Sequence, residues 1–232
     1  MTKKNSEYDQ PHHLDNPYIK IIERLKLKRI STLDKIFFLK IFTPDQCVKI
    51  IDTALNTWEE QESKLWNEKE QNFIVDPEIR NTTLFIPPAP EDDDLLLSTI
   101  LASIKTFNDC NDGYKFDIVG MLEPPNMMRY FAPDIHPKGK PGKYDWHMDV
   151  GLAPVQSVRK LSYSILLNAG EYEGGELTFH TGRTMKPHPG QTSSDYIGAA
   201  FVFPSYLVHR VLEVTKGTRY ALCGWLHGNS FQ

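Results

Sequence analysis

Downstream of Gly113 the chain breaks into short runs rich in β-branched and aromatic residues, cut by Gly, Pro and Asn turns. The runs fall at 114–123, 127–131, 144–150, 161–167, 176–180, 199–203, 208–214 and 219–226. No short strand can bury a face alone. Many in succession, with no helical period between them, close on one another as a sandwich or barrel. This half of the sequence therefore allows few folds.

The half before it has a different texture. Residues 35–42 form a short, strand-like apolar run. Thr43-Pro44-Asp45 reads as a helix start: a capping hydroxyl, a proline at the first helical position, an acid in the first turn. Cys47, Ile50, Ile51, Ala54, Leu55 and Trp58 follow at three-to-four spacing, an amphipathic stripe for core packing. Residues 59–71 are charged and read as a helix end and loop. Residues 80–86 read as one strand closed by Pro87-Pro88. Asp92-Asp93-Asp94 opens a second helix, with Leu97, Ile100, Leu101, Ile104 and Phe107 as its buried stripe. Acids at a helix start suit the macrodipole and require no metal. The expected class is α+β, a β core braced by two or more N-terminal helices. The expected division is a polar arm at 1–30, a helical support region at 31–112 and a β core at 113–232.

Length and charge narrow the function. The 232 residues, 40% of them hydrophobic, fit one globular domain, or one domain with an extension. Twenty-six basic against 30 acidic residues leave a net charge of −4, which excludes a basic nucleic-acid footprint over the whole chain. The three cysteines are not closely spaced and argue for a reducing compartment rather than a disulfide framework. No apolar run has the length of a membrane helix, and the first residues lack an apolar signal core. The expectation is a soluble, cytoplasmic protein. Two longer loops, 132–143 and 183–196, are rich in Pro, Gly and polar residues and are placed at the mouth of any site. His136, Lys138, Lys140, His180 and His188 lie in or beside them and read as solvated side chains.

Chemistry concentrates at His147-Met148-Asp149. On a strand, residues i and i+2 share a face with Cα atoms roughly 6.5–7 Å apart, so an imidazole and a carboxylate can grip one ion. Chance alone supplies about half such a pair in a chain of this composition, and His13-Leu14-Asp15 is a second one. Only the first sits in a strand-like run. His209 opens another run sixty residues on. Two His and one carboxylate form a facial set that leaves three octahedral positions open on iron(II), whereas structural zinc takes four tight ligands. Arg219 follows ten residues later. Thr215-Lys216-Gly217-Thr218 reads as a hairpin turn, which makes Arg219 open the antiparallel partner of the His209 strand. A guanidinium there can pair bidentately with a carboxylate near the metal, as in 2-oxoglutarate, or form a surface ion pair.

The ordered set His147-x-Asp149, His209 and Arg219 resembles the iron(II)- and 2-oxoglutarate-dependent dioxygenases. Within them it is similar to the prolyl-4-hydroxylase group, including bacterial PKHD-type hydroxylases. Arg129-Tyr130, Leu166-Leu167-Asn168, Tyr172-Glu173-Gly174-Gly175-Glu176-Leu177 and Arg219-Tyr220-Ala221-Leu222-Cys223-Gly224-Trp225 extend the match. It covers about residues 115–228; the part before resembles the family only in layout. The resemblance implies a double-stranded β-helix, or jelly roll. It implies iron on His147, Asp149 and His209, and the far carboxylate of 2-oxoglutarate on Arg219 with support from the Tyr130 hydroxyl. Trp225 matches an aromatic position that would wall the site. O₂ and 2-oxoglutarate are the implied co-substrates, with ascorbate a candidate addition. The implied substrate is a prolyl residue in a peptide or protein; a free amino acid or small metabolite is the alternative. Leu177 stands where many members have Thr, and the stretch from Tyr130 to His147 is longer than in many. The second Arg that nucleic-acid repair dioxygenases carry is absent near Trp225, which argues against a nucleic-acid substrate. A non-catalytic binding module and a purely structural protein are the readings from other classes.

Overall fold

Side-chain alternation along one ten-residue strand, Thr218–His227, sets the layers. Tyr220, Leu222 and Leu226 face one side, into a core shared with helical residues. Arg219, Cys223 and Trp225 face the other, toward a cavity. A computed structural model describes residues 36–67, 70–89, 94–185 and 192–230. The arm at 1–30, Asp92, Asp93, His188 and the middle of the second long loop lie outside the described residues.

In chain order the elements are β1 (Phe37–Lys40), α1 (Pro44–Thr57), β2 (Glu59–Glu62), β3 (Leu65–Asn67), β4 (Asn72–Ile74), β5 (Arg80–Asn81), β6 (Thr83–Ile86) and α2 (Leu95–Asp109). There follow β7 (Asn126–Phe131), β8 (Lys143–His147), the short α3 (Pro154–Ser157), β9 (Arg159–Leu166), β10 (Glu173–Gly174) and β11 (Leu177–Phe179). The last are β12 (Ala199–Pro204), β13 (His209–Val211), β14 (Val214–Lys216) and β15 (Thr218–His227). The described chain is mostly sheet with few helices.

Seven strands pair in the order β1-β12-β9-β15-β7-β6-β2, and four in the order β11-β13-β8-β5. Met128, Tyr130, Phe201 and Phe203 of the large sheet share one apolar cluster with Leu177, Phe179 and Val211 of the small sheet. The opposite face of the large sheet, with Leu161, Ile165 and Val202, packs against Cys47 and Ala54 of α1 and Ile100 and Ile104 of α2. Strands from 31–112 enter both sheets: β1 pairs with β12, β6 with β7, and β5 with β8.

The helix start at Thr43 forms a full capping box: its hydroxyl accepts from Gln46 N–H while Gln46 Oε1 accepts from Thr43 N–H. Leu55 departs from the expected stripe and is exposed. On α2 only Asp94 of the three acids can be placed, and it caps the helix by accepting from Leu97 N–H.

Several sequence expectations fail for identifiable reasons. Residues 59–71 are not a helix end and loop. Glu59–Glu62 is a strand of entirely exposed side chains, because pairing with β6 overrides its polar composition. The 80–86 run is two strands in different sheets, with the crossing at Thr82, whose hydroxyl donates to Arg129 O. The 114–123 run is not a strand. Asn108 takes both backbone groups of Phe116, and His227 takes the N–H groups of Val119 and Leu122, so no ladder forms. The 208–214 run breaks at Leu212-Glu213. The Thr215–Thr218 turn does not return Arg219 alongside His209. β14 pairs with β10, β15 joins the large sheet, and His209 lies in the small one.

Candidate active site

His147 ends β8 and His209 begins β13, and the two are direct cross-strand partners. Asp149 is not on the strand, contrary to the i, i+2 argument. It sits just past the strand end, held by its N–H donating to Ser205 O. The donor atoms of His147, Asp149 and His209 all lie within 4.8 Å of one another. His147 Nε2 is 3.7 Å from one Asp149 carboxylate oxygen and His209 Nε2 is 3.6 Å from the other.

Both imidazoles are oriented from behind. His147 Nδ1 contacts Asp145 O at 2.7 Å and His209 Nδ1 contacts Leu207 O at 2.8 Å. Each ring therefore carries its proton on Nδ1 and turns a bare Nε2 inward. Tyr144 stacks on His147 at 3.5 Å between centroids, with the Arg80 guanidinium over the Tyr144 ring at 4.4 Å. Phe203 packs edge-on against His209. Burial, then the facing His209, pushes the His147 pKa down to about 4. Burial works against the Asp149 anion, but His209 and His147 hold its pKa below the ordinary value. At neutral pH this gives a lone-pair nitrogen on His147 beside one anion.

The donor set fits a divalent ion. Bonds of about 2.1 Å place ligand atoms roughly 3.0–3.4 Å apart, so a few tenths of an ångström of side-chain movement would bring each His–Asp149 spacing into that range. Two imidazoles and one carboxylate are the donors that suit iron(II) with positions left open.

Arg219 lines the same cavity, about 290 Å³ in volume, and is 1% exposed. Its Nε and Nη1 have no hydrogen-bond partner among the described residues. Burial opposes its charge, but the Tyr172 and Tyr130 phenols outweigh this and hold the pKa up. The guanidinium lies 5.0 Å from the Tyr130 ring centre. Tyr130 is buried, its pKa is pushed up to about 12, and its hydroxyl donates to Met128 Sδ. Trp225 also lines the cavity, with the Arg159 guanidinium stacked on its ring at 3.5 Å.

Sequence reasoning missed part of this cavity. Arg159 donates to Asp149 O and pairs with Glu123, which also receives His227. His227 is two residues past Trp225 on one strand, so alternation could have flagged it; Glu123 carried no signal. Lys64, Leu65 and Phe73, from the β3–β4 hairpin, line the cavity, whereas no described residue of 132–143 or 183–196 does. The first of those loops is instead tied down by the Lys138–Glu62 and Lys140–Glu78 ion pairs.

Residues 128–227 match the sequence model described as the 2OG-Fe(II) oxygenase superfamily. The similarity to that superfamily covers 100 of the 232 residues. The matched segment also resembles PKHD-type hydroxylases. One from Gloeothece citriformis is 36% identical over 85 residues, 36% of this chain and 36% of the relative. One from Alteromonas mediterranea is 30% identical over 104 residues, 42% of this chain and 44% of the relative. The match thus spans less than half the length of these relatives. Among solved structures, a Pseudomonas putida prolyl-4-hydroxylase superposes with a TM-score of 0.56 at 16% identity, over 84% of this chain and 94% of that one. A Trichoplax adhaerens prolyl hydroxylase, in complex with a hypoxia inducible factor oxygen degradation domain peptide fragment, gives 0.58 at 15% identity, over 92% and 94%. The matched segment and the strands before it therefore share the fold of these structures.

Proposed function

We propose that the chain is an iron(II)- and 2-oxoglutarate-dependent hydroxylase acting on a C–H bond, most suitably of a prolyl residue in a peptide or protein. In this reading residues 113–232 are a double-stranded β-helix carrying the site, 31–112 support it and 1–30 form a polar arm. One observation carries the reading. Three metal-ligand donors and a fully buried guanidinium, for which the described residues supply no carboxylate, line a single cavity.

Each residue then has a task. His147, Asp149 and His209 hold iron(II), with the Asp149 anion offsetting part of its charge. Arg219 receives the far carboxylate of 2-oxoglutarate, which gives its unpaired N–H groups a charged partner. Tyr130 backs the guanidinium. Trp225, fixed under Arg159, walls the space where substrate sits. When bound, iron(II) with 2-oxoglutarate and O₂ supplies the oxidation: the 2-oxo acid leaves as succinate and CO₂, and a substrate C–H is hydroxylated. The apolar and aromatic walls limit water around that chemistry. Ascorbate enters only as a reductant that keeps the metal as iron(II).

The names of the relatives support a hydroxylase, and the peptide-bound neighbour supports a chain-like substrate. The cavity rim agrees, with Phe73 and Met148 exposed at 59% and 55% to meet apolar side chains. A cytoplasmic setting suits the three free cysteines; among the described residues no helix is long and apolar enough to cross a membrane. The test is to load purified protein anaerobically with iron(II). 2-Oxoglutarate, ascorbate, air and proline-containing peptides are then added. Succinate should form, and one peptide should gain the mass of an oxygen atom. Absence of any 2-oxoglutarate consumption would remove the proposal.

A further inference from the structure

The charges around the His147–Asp149–His209 cavity do not balance. Its described lining residues include four cations, Lys64, Arg80, Arg159 and Arg219, and one carboxylate, Asp149. Part of this charge is answered. Arg159 is paired with Glu123. In the reading above, Asp149 and the near carboxylate of 2-oxoglutarate face the divalent ion, and the far carboxylate faces Arg219. Arg80 and Lys64 are left over. Lys64 is exposed, and water can solvate it. Arg80 is half-buried, and a guanidinium cannot shed its proton to escape the cost of a filled site.

Arg80 is held as a fork with nothing charged to grip. It sits on β5 as the cross-strand partner of Tyr144. Its guanidinium lies over the Tyr144 ring at 4.4 Å, and the same ring stacks on His147 at 3.5 Å. Nη2 donates to Met128 Sδ at 3.9 Å, a weak acceptor, and Nε has no hydrogen-bond partner among the described residues. The carboxylates nearby are spent. Glu62, which borders a small recess together with Arg80, is paired with Lys138, and Glu78 is paired with Lys140. Packing over a ring fixes a guanidinium and leaves its N–H edge for a ligand, which is what bidentate recognition of a carboxylate needs. Tyr144 touches both this arginine and a metal ligand, so a group held by Arg80 lies near the reacting centre.

We propose that Arg80 selects the substrate, and that the substrate carries a carboxylate close to the carbon that is hydroxylated. The proposal rests on the hydroxylase reading above and narrows it to acidic substrates. The anion has two sources: the main-chain carboxylate of a free amino acid, or an acidic side chain beside the target residue of a peptide. Both present the same group to the fork.

The test loads the intact chain with manganese(II) and 2-oxoglutarate without oxygen, so that Arg219 is already occupied. Calorimetry then compares two pairs of probes. L-Proline is set against L-prolinamide. A blocked peptide with Glu on each side of one proline is set against the same peptide with Gln. A charge-assisted contact predicts that in one pair the acid binds at least about tenfold tighter than its amide, and that pair names the source. Arg80→Gln should abolish the preference and Arg80→Lys should keep part of it. Manganese and 2-oxoglutarate should bind both variants within about twofold of wild type. Acids that bind wild type no better than their amides, or do not bind at all, overturn the proposal before any variant is made. So does a preference that survives in Arg80→Gln. An equal loss of acid, amide and manganese in Arg80→Gln also overturns it, as the mark of an arginine that only braces Tyr144 against His147. A wild-type chain that takes manganese but no 2-oxoglutarate removes the hydroxylase reading itself, before any probe is added.

Discussion

Two histidine–carboxylate clusters lie on either side of Arg159, and they are built oppositely. In one, His227 Nδ1 accepts from Leu122 N–H, its Nε2 meets Glu123 at 3.0 Å, and Glu123 also takes the Arg159 guanidinium. Every strong polar atom of that histidine is used. In the other, His147 and His209 satisfy only their Nδ1 atoms. Their Nε2 atoms stop 3.7 and 3.6 Å from Asp149, beyond hydrogen-bond length. The same residue types thus make a closed brace in one place and an open set of donors in the other. The spacing of what is left unsatisfied, rather than the presence of His and Asp, marks a metal site. Arg159 joins the two by donating to Asp149 O.

The largest effect should come from breaking the open cluster. Asp149→Asn keeps the shape and removes the anion. Metal affinity and 2-oxoglutarate turnover should fall by more than about a hundredfold, beyond the loss typical of outer-shell partners. The melting temperature of the metal-free protein at neutral pH should fall only by the contribution of the depressed Asp149 pKa. Metal titration and thermal melts on one sample check both halves. Arg219→Ala comes next. It should weaken 2-oxoglutarate binding about a hundredfold while manganese(II) affinity stays put, measured by calorimetry. The closed cluster should respond in the reverse sense. Glu123→Gln leaves Arg159 short of its charge partner, at a cost of about 2–3 kcal/mol once the partial exposure of Glu123 is allowed for. For a chain this long that is a fall in Tm of roughly 4–12 °C. Metal affinity should drop less than tenfold, since only the hold on Asp149 O is loosened.

Legibility in the sequence followed the same divide. His147, Asp149, His209 and Arg219 were readable from order and spacing, because an open cluster needs particular residue types in a particular order. The closed brace was not: Glu123 sits in a stretch without strand pairing, and only the folded chain brings it to Arg159 and His227. Helix α1 was legible through its cap, a purely local device. Strand β2 was invisible, because its four polar residues form a strand only through long-range pairing with β6. The sheet to which each strand belongs was also hidden. The breaks at Thr82 and at Leu212-Glu213 move the chain between partners without any Gly or Pro to announce it. This is why the hairpin assigned to His209 and Arg219 failed while their meeting across one cavity did not.

The smallest expected effect concerns pH and separates the clusters without mutating either. In the metal-free protein the His147 pKa lies near 4, against 6.5 in an unfolded chain. Between those values the unfolded state binds more protons than the folded one, so stability rises with pH across the window and is lost as pH falls from about 6.5 toward about 4. Asp149 acts in the same direction at lower pH. Its depressed pKa contributes stability that is present above the ordinary carboxylate value and disappears on acidification. A divalent ion on His147 and Asp149 binds only their deprotonated forms, so it should raise Tm most near neutral pH and release as the pH drops. His227 is held between a backbone N–H and Glu123, outside any metal's reach, and should contribute no metal-dependent part. Melting curves from pH 7.5 to 5, with and without manganese(II), should therefore diverge upward with pH in wild type and coincide in Asp149→Asn. A metal-dependent gap that survives in Asp149→Asn would mean that the ion sits elsewhere and that the open cluster is only a second brace.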